Sequence, residues 1–192
     1  MLDPRASDIL QFWFADSLTT TVARPEWFRK DAEFDATIAQ RFGPLIEDAQ
    51  QRRLDAWAQE ARGALARLLL LDQFTRNVYR DTPRAFAGDA LALAAAQAMV
   101  SRGQDRELHP QQRAFAYLPF EHTESLAAQE RGIELFSALA AEHPGQADAL
   151  LWAQKHRDIV ARFGRFPHRN LVLGRVSTAA ELAFLQRPGS RF

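Results

Sequence analysis

Apolar residues recur every three or four positions along almost the whole chain, and this spacing constrains the fold more than any other feature of the sequence. Residues three and four apart share one face of an α-helix, so each such stretch predicts a helix with one buried side. No run of alternating residues bounded by turn signals predicts a strand. The sequence therefore predicts an all-α fold.

Capping and turn residues divide this pattern into separate helices. Asp3 and Pro4 suit a helix start, as a cap followed by a first-turn proline, and Ser177-Thr178 with Glu181 predicts a capping box. Short connections favour antiparallel neighbours in a bundle or a superhelical stack. After a first helix at ILQFWF and a polar loop at 16–24, the predicted helices cover 31 to about 53 with a break or restart at Gly43-Pro44, 61 to about 78, 89–102, 110–119, 123–142, 146–163 and 179–185.

The length and the two ends of the chain predict its domain organisation. A chain of 192 residues is long enough for a real core and short enough for one domain. We therefore predict a single all-α domain over 1–192, with a frayed tail at 186–192. The start MLDPRASDIL lacks the basic and apolar regions of a signal peptide, and the apolar stretches are too short to span a bilayer. We expect a cytoplasmic protein with no membrane partner.

Charge and cysteine content exclude several function classes. The 24 basic and 24 acidic residues give zero net charge, so no global field attracts nucleic acid. Because there is no cysteine, disulfides, thiolate nucleophiles, zinc fingers and iron–sulfur clusters are excluded, and a metal would need histidine and carboxylate ligands. No nucleotide, flavin or haem fingerprint occurs. The sequence predicts no cofactor, no metal and no nucleic-acid partner.

Titratable residues lie on the apolar faces of three predicted helices. Asp72 and Arg76, four positions apart, continue the apolar stripe of the helix over 61–78, and His122 and His156 lie on the stripes of the helices over 123–142 and 146–163. Burying a charge unpaired costs roughly several kcal/mol, so these groups must meet one another, water or a ligand. A salt bridge and a core histidine bonded to a carbonyl are the structural alternatives. The apolar residues predicted to share one core with these stripes are Leu65, Leu68, Leu69, Ile133, Phe136, Trp152, Ile159 and Phe163.

The stretch FGRFPHRN is the densest in groups able to bind a ligand or to do chemistry. Gly164 ends a helix there and Pro167 can start a short one, whose free amides would favour an anion. Between Lys155 and Arg175 there are six basic residues and one acidic residue. The structural alternative is that the arginines cap carbonyls and stack on the neighbouring phenylalanines. The side chains around the predicted helix start are Arg165, His168, Arg169 and Asn170.

Four segments carry a resemblance to a known family: LLLLDQFTRNVYR (68–80), TPRAFAGD (82–89), YLPFEHTESLAAQERGIELF (117–136) and HRDIVARFGRFPHRNLVLGR followed by ST (156–178). Together they resemble the bacterial domain-of-unknown-function family 924, whose members have a tetratricopeptide-like all-α fold. The resemblance implies that fold and implies no activity. Thr75 departs from the family pattern, which often has proline there, and this makes an expected turn after Phe74 less rigid. The motif positions fall here on Asp72, Gln73, Arg76, Asn77, Arg80, Glu121, His122, Glu124, His156, Arg165, His168, Arg169 and Asn170.

These residues support three hypotheses of function. The first is a pocket, formed where His122, His156 and the FGRFPHRN stretch converge, that binds a small polar and anionic ligand. The second is a hydrolase or transferase that uses His122 or His168 as acid or base, oriented by Glu121, Glu124 or Asp72. The third is a tetratricopeptide-like interaction scaffold, with the same residues on an exposed groove; a protein partner or a homodimer is left open. The predicted ligand-binding residues are Asp72, Arg76, Asn77, Arg80, His156, Arg165, Arg169 and Asn170.

Overall fold

The computed structural model describes residues 1–15, 24–27 and 29–190, and every regular element in that part of the chain is helical. The all-α prediction is confirmed. The α-helices are α1 (Pro4–Phe14), α2 (Ala32–Gln50), α3 (Ala61–Leu69), α4 (Thr75–Val78), α5 (Asp89–Ser101), α6 (Pro110–His122), α7 (Leu126–Glu142), α8 (Ala147–Phe163) and α9 (Ala179–Leu185). A π-helix, Leu70–Phe74, joins α3 to α4, and 3₁₀ turns lie at Pro25–Trp27, Asp55–Gln59, Pro83–Phe86, Gln104–Glu107, Pro144–Gln146 and Pro167–Arg169.

Capping residues explain where several helices begin and end. The carboxylate of Asp3 accepts a hydrogen bond from the Arg5 amide at the start of α1, and Thr178 and Glu181 form the predicted capping box of α9. These contacts satisfy amides that have no partner in the first helical turn. At the end of α8, Gly164 has a φ of +69°, which glycine adopts without strain.

Three predicted boundaries are wrong. Pro44 lies inside α2 and Pro119 lies inside α6, so neither proline ends a helix. Gly43 has no Cβ to clash with the Pro44 ring, and this lets the helical backbone continue. The side chain of Ser125, not that of Thr123, accepts a first-turn amide of α7, so that helix begins after it. The polar loop predicted at 16–24 lies outside the described residues except for its last position, as do residues 191–192 of the predicted tail.

One main core joins the helices from α1 to α8. Leu65, Leu68, Leu69 and Phe136 are fully buried in it, and Ile133 packs against it from a partly buried position. A second, smaller cluster contains Ile159, Val160 and Phe166, with Phe163 and Phe184 packed against it. Ile159 is therefore buried and Phe163 is partly buried, but neither belongs to the main core as predicted.

Trp152 is the one predicted core residue that faces solvent. It is 49% exposed, and the Lys155 ammonium lies 4.0 Å from the centroid of its ring. The buried face of α8 instead includes Ala153, His156 and Val160. Neighbouring residues on a helix point about 100° apart. Trp152 is next to the buried Ala153, so including both in the predicted apolar stripe places an exposed side chain in the core.

The packing of α6, α7 and α8 positions the polar residues. These helices contact one another in chain order, and α6 also contacts α8. A Cβ on Gly132 of α7 would lie 3.0 Å from Cβ of Phe120, so α6 and α7 pack closely at this point. The Pro144–Gln146 turn makes α7 and α8 antiparallel neighbours, and it returns the end of α8 to the end of α6. A tetratricopeptide-like superhelix stays a prediction. None of the described helices is long and apolar enough to cross a membrane.

Candidate functional site

The π-helix between α3 and α4 places a carboxylate in the interior, because Asp72 lies on it and is fully buried. Its wider turn interrupts the regular α-helical hydrogen bonding, and side chains donate to its carbonyls. The hydroxyl of Thr75 donates to the carbonyl of Leu71 (2.9 Å), and Nη1 of Arg76 donates to that of Asp72 (2.7 Å). The turn expected after Phe74 is absent, since the helix continues through Thr75.

Asp72 is surrounded by donors. Nε2 of Gln73 donates to Oδ2 (2.6 Å), Nη1 of Arg76 lies 3.2 Å from Oδ1, and Nδ1 of His122 lies 2.8 Å from Oδ1. Burial alone would raise the pKa of Asp72, but the charges of Arg76 and His122 and the hydrogen bonds from His122 and Gln73 lower it below its usual value. Asp72 is therefore ionised near neutral pH. It is buried and paired with Arg76, as the helical stripe predicts.

His122 is the last residue of α6, and not part of the α7 stripe on which its orientation was predicted. Its Nδ1 lies 2.8 and 3.0 Å from the two carboxylate oxygens of Asp72. An ionised carboxylate only accepts hydrogen bonds, so Nδ1 carries the proton and Nε2 is the acceptor of the neutral ring. Within the described residues no hydrogen bond reaches Nε2 of His122.

Five residues form a closed circuit of polar contacts, which we call the polar ring and which closes through the backbone carbonyl of His122. Nη2 of Arg76 lies 3.0 Å from Oδ1 of Asp89, at the start of α5. Nη1 of Arg169 donates to Oδ2 of Asp89 (3.0 Å), and Nη2 of Arg169 donates to the carbonyl of His122 (2.9 Å). The ring ties together the π-helix and α4, the start of α5, the end of α6 and the Pro167–Arg169 turn. Its members are Asp72, Arg76, Asp89, Arg169 and His122.

Arg169 is the most confined charge of the polar ring. It is 7% exposed, and its guanidinium carbon lies 4.6 Å from the centroid of the Phe86 ring and 4.7 Å from that of Phe166. Burial and the nearby charge of Arg76 lower the pKa of Arg169 to about 10, while Asp89 acts in the opposite direction. Its Nε has no hydrogen-bond partner among the described residues. Arg169 therefore remains a cation with one unused donor.

A second histidine–carboxylate pair lies beside the first. Nδ1 of His156 lies 2.9 Å from Oε1 of Glu121 and 2.9 Å from the carbonyl of Trp152. The ring centroids of His122 and His156 are 6.2 Å apart, and the Phe166 ring lies 5.6 Å from that of His156. The structure thus brings together the two histidines and the FGRFPHRN stretch, as the antiparallel helices predict.

The other two proposed catalytic residues hold the FGRFPHRN stretch in place. Glu124 accepts hydrogen bonds from the Phe166 amide (2.8 Å) and from Arg175 (2.7 and 2.9 Å). The His168 ring lies 5.6 Å from that of Phe166. Burial, Arg169 and His156 lower the pKa of His168 to about 3, so it is neutral near pH 7. The predicted helix start at Pro167 is a three-residue 3₁₀ turn, too short for the aligned dipoles that would attract an anion.

An open cleft of about 370 Å³ lies beside the polar ring. One wall consists of successive positions on one face of α5. The opposite wall is polar and includes His122, whose Nε2 has no hydrogen bond among the described residues. The lining residues are Asp89, Ala90, Leu93, Ala94 and Gln97 on α5, and His122, Thr123, Glu124 and Arg169 opposite them.

Of the eight predicted ligand-binding residues, only Arg169 is among the described residues that line this cleft. Asp72, Arg76 and His156 do not line it, and the other four make contacts elsewhere. Nδ2 of Asn77 donates to Oδ1 of Asp35 on α2 (2.7 Å), and Nη2 of Arg80 donates to the same oxygen (3.0 Å). These contacts with α2 hold both side chains away from the cleft. Arg165 pairs with Glu181 of α9, and Nδ2 of Asn170 donates to Ser177 (3.0 Å). The acids that neutralise these arginines come from distant segments, which a count within FGRFPHRN does not include.

Sequence reasoning missed Asp89, Arg175 and the α5 wall. Asp89 ends the TPRAFAGD segment, and its neighbour Gly88 is a signal, because a Cβ there would lie 2.1 Å from the carbonyl oxygen of Leu71. That contact seats the start of α5 on the π-helix and presents Asp89 to both arginines of the polar ring. The α5 wall has no comparable signal, since exposed alanines on a helix carry no chemistry. In the described ranges, no group of three or more His, Asp or Glu side chains is arranged to hold a metal.

Comparison with known proteins supports the fold. No curated protein matches the chain. The chain is similar to a solved structure from Agrobacterium tumefaciens, described as the protein of unknown function ATU0120, with 41% sequence identity and a TM-score of 0.84 over 94% of this chain and 96% of that one. The model of the family described as bacterial protein of unknown function (DUF924) matches residues 9–189. The chain therefore belongs to the DUF924 family, as its four motif segments indicate.

Proposed function

We propose that the cleft beside the polar ring binds a small polar molecule that donates a hydrogen bond to Nε2 of His122. The observation that carries this proposal is the orientation of His122, whose Nδ1 is held by the ionised Asp72 while Nε2 has no partner in the described chain. A polar acceptor at the wall of a cleft favours a ligand with a hydroxyl, amide or ammonium donor.

The charges around the cleft decide how the ligand can be charged. Asp72 and Asp89 together neutralise Arg76 and Arg169, and Glu124 neutralises Arg175. The Nε donor of Arg169 has no partner among the described residues, but it is buried, so an anionic group in the cleft would not reach it. We propose that anions bind more weakly than uncharged hydrogen-bond donors, because the arginines around the cleft are already paired with carboxylates.

The burial of the site residues supports a ligand site over an interaction scaffold. A scaffold would present its distinctive residues on an exposed groove, whereas Asp72, Glu121, His156 and Arg169 are all buried. Only the cleft side of His122 and its neighbours is open to a molecule, and the opening suits a small one.

Side-chain nitrogen NMR tests the proposal, because the chain has only five histidines. The wild type and two variants are titrated with acetate, inorganic phosphate and butyramide. Ala94→Leu fills the cleft, and His143→Gln changes an exposed histidine outside it. We expect His122 in the wild type to show the tautomer protonated at Nδ1, and its Nε2 resonance to shift with ligand in the wild type and His143→Gln but not in Ala94→Leu. Equal shifts in wild type and Ala94→Leu, or none with any probe, would show the proposal to be wrong.

A further inference from the structure

We infer that the cleft is also catalytic, with Asp72 and His122 acting as a general-base pair that activates water for hydrolysis of a short-chain carboxylic ester. The inference rests on the proposed binding of a small polar molecule in the cleft. It adds a reaction and a substrate class to that binding.

The histidine that acts as base must have an accessible ring nitrogen. His122 lines the cleft, and its Nδ1 is fixed by Asp72, which leaves Nε2 to accept a proton. His156 is buried, and His168 is not among the lining residues. Glu124 is held by Arg175 and the Phe166 amide. Of the residues proposed as acids or bases, His122 is the one whose position suits proton transfer.

The attacking group is a water molecule, because in the described chain no serine or threonine hydroxyl lies within hydrogen-bond distance of His122. Thr123 also lines the cleft but makes no hydrogen bond to the imidazole. A Ser–His pair would show the hydroxyl beside Nε2.

The walls of the cleft indicate the substrate class. Ala90, Leu93 and Ala94 on α5 form an apolar surface opposite the polar wall, and this suits a short acyl chain. Arg169 lines the polar side beside His122, and its positive charge can stabilise negative charge that develops on a carbonyl oxygen in the cleft. An uncharged ester also avoids the carboxylates Asp89 and Glu124, which a strongly anionic substrate would meet.

The reaction is a simple hydrolysis. Nε2 of His122 takes a proton from water as the water oxygen bonds to the acyl carbon. The bond from that carbon to the alcohol oxygen then breaks, and the imidazolium returns the proton to the leaving oxygen. The products are a carboxylic acid and an alcohol. Asp72 is a positioning residue, because it holds the tautomer and stabilises the imidazolium without touching the substrate.

Hydrolysis of p-nitrophenyl butyrate tests the inference, with His143→Gln as the control for reaction at an exposed histidine. We expect His122→Gln to lower kcat/KM by about 10²-fold or more, since general-base catalysis contributes effects of this size, and His143→Gln to leave it unchanged. Asp72→Asn should lower kcat more than it changes KM. His122→Ala should regain rate with added imidazole, which can occupy the vacated space beside Asp72.

The pH profile supplies a readout that a purely structural role would not change. The rate of the wild type should fall towards acid pH, because a general base acts only when it is unprotonated, and this fall should be absent in His122→Gln. The charged and titratable groups around His122 are Asp72, which contacts its Nδ1, and Arg76, which pairs with Asp72. His156 lies 6.2 Å from its ring, Arg169 donates to its carbonyl, and Asp89 and Glu124 line the same cleft.

Two results would overturn the inference in distinguishable ways. If butyramide shifts the Nε2 resonance of His122 but wild type and His122→Gln hydrolyse the ester equally, binding stands and catalysis is wrong. If the ester is not hydrolysed and butyramide does not bind either, both proposals are wrong. If His122→Gln is misfolded, imidazole rescue of His122→Ala decides the question, and a folded variant without rescue overturns the catalytic role.

Discussion

At the scale of single residues, His168 links the stability of the fold to pH. The pKa of His168 is lowered from 6.5 to about 3. Burial is the largest cause, followed by the charges of Arg169 and His156. The charge of Glu124 raises this pKa, and that of Arg175 lowers it. The folded protein therefore keeps His168 neutral over a range in which the unfolded chain binds a proton. Between these two pKa values, stability must fall as pH falls.

We predict that His168→Gln removes part of this pH dependence. Above about pH 6.5 the unfolded chain no longer gains the proton, so the titration of His168 contributes no difference between wild type and variant. At pH 5 the wild type should have lost on the order of 1 kcal/mol of unfolding free energy relative to the variant. Urea unfolding at several pH values measures the difference, with His143→Gln as an exposed control. Parallel pH curves for wild type and His168→Gln would contradict the prediction.

Residue-level prediction from the sequence succeeds where one helix contains both the residue and the pattern. Asp72 and His156 follow apolar residues at helical spacing, and both are buried with polar partners. It fails where the partner is remote in sequence. Arg80 binds Asp35, 45 positions away, and Arg169 binds Asp89, 80 positions away. The spacing of residues along one helix does not show which acidic residue from a distant part of the chain will pair with an arginine.

At the scale of elements, the π-helix and the start of α5 form one unit. Gly88 precedes α5 at the point where its backbone meets the carbonyl oxygen of Leu71, and Asp89 follows in contact with both arginines of the polar ring. The wide π-turn and the missing Cβ together set the position of Asp89. Helical periodicity predicts the length of the helix over 61–78 but not the π-turn, because the chain stays helical through the extra residue and no Pro or Gly marks the turn.

We predict that Gly88→Ala destabilises the protein by about 1–3 kcal/mol, because its Cβ would overlap a backbone oxygen that cannot move as a side chain can. Chemical denaturation measures the loss. Gly145→Ala is the matched control, since nothing lies within 4 Å of a Cβ there, and it should not lower stability. The prediction is wrong if the two variants unfold at the same denaturant concentration.

At the scale of the whole molecule, two apolar clusters of unequal size are joined by ion pairs. The main core includes residues of α1 to α8, whereas the second cluster holds the end of α8, the FGRFPHRN stretch and α9 around Phe166. Arg175 with Glu124 and Arg169 with Asp89 connect the segment after Gly164 to the α6–α7 turn and to α5. The all-α class was predictable from periodicity, but this division was not, since it depends on which face of α8 each cluster covers.

The smaller cluster should open more readily than the main core, and its opening should depend on Glu124. Local stability follows buried apolar contact, of which this segment has little. Glu124 adds a hydrogen bond to the Phe166 amide and a two-point contact with Arg175. Burial alone would raise the pKa of Glu124, but the hydrogen bonds and charge of Arg175 and the Phe166 amide lower it, so the pair is ionised at neutral pH. Since Arg169 on this segment forms part of the cleft wall, opening the segment also opens the cleft.

We predict that Glu124→Gln speeds hydrogen exchange in this segment alone. The amides of Leu173 and Arg175 donate to the carbonyls of Arg169 and Asn170, so they report its opening. Loss of the charged contact should cost about 1–2 kcal/mol and raise their exchange rates about 5–30-fold, with amides of α3 unchanged. Added salt should speed exchange in wild type more than in the variant, because the contact is partly exposed.

Glu134→Gln, which breaks an exposed pair with Arg131, is the control. Equal rates for Leu173 and Arg175 in wild type and Glu124→Gln would mean that the apolar cluster alone holds the segment, and that Glu124 does not control access to the cleft.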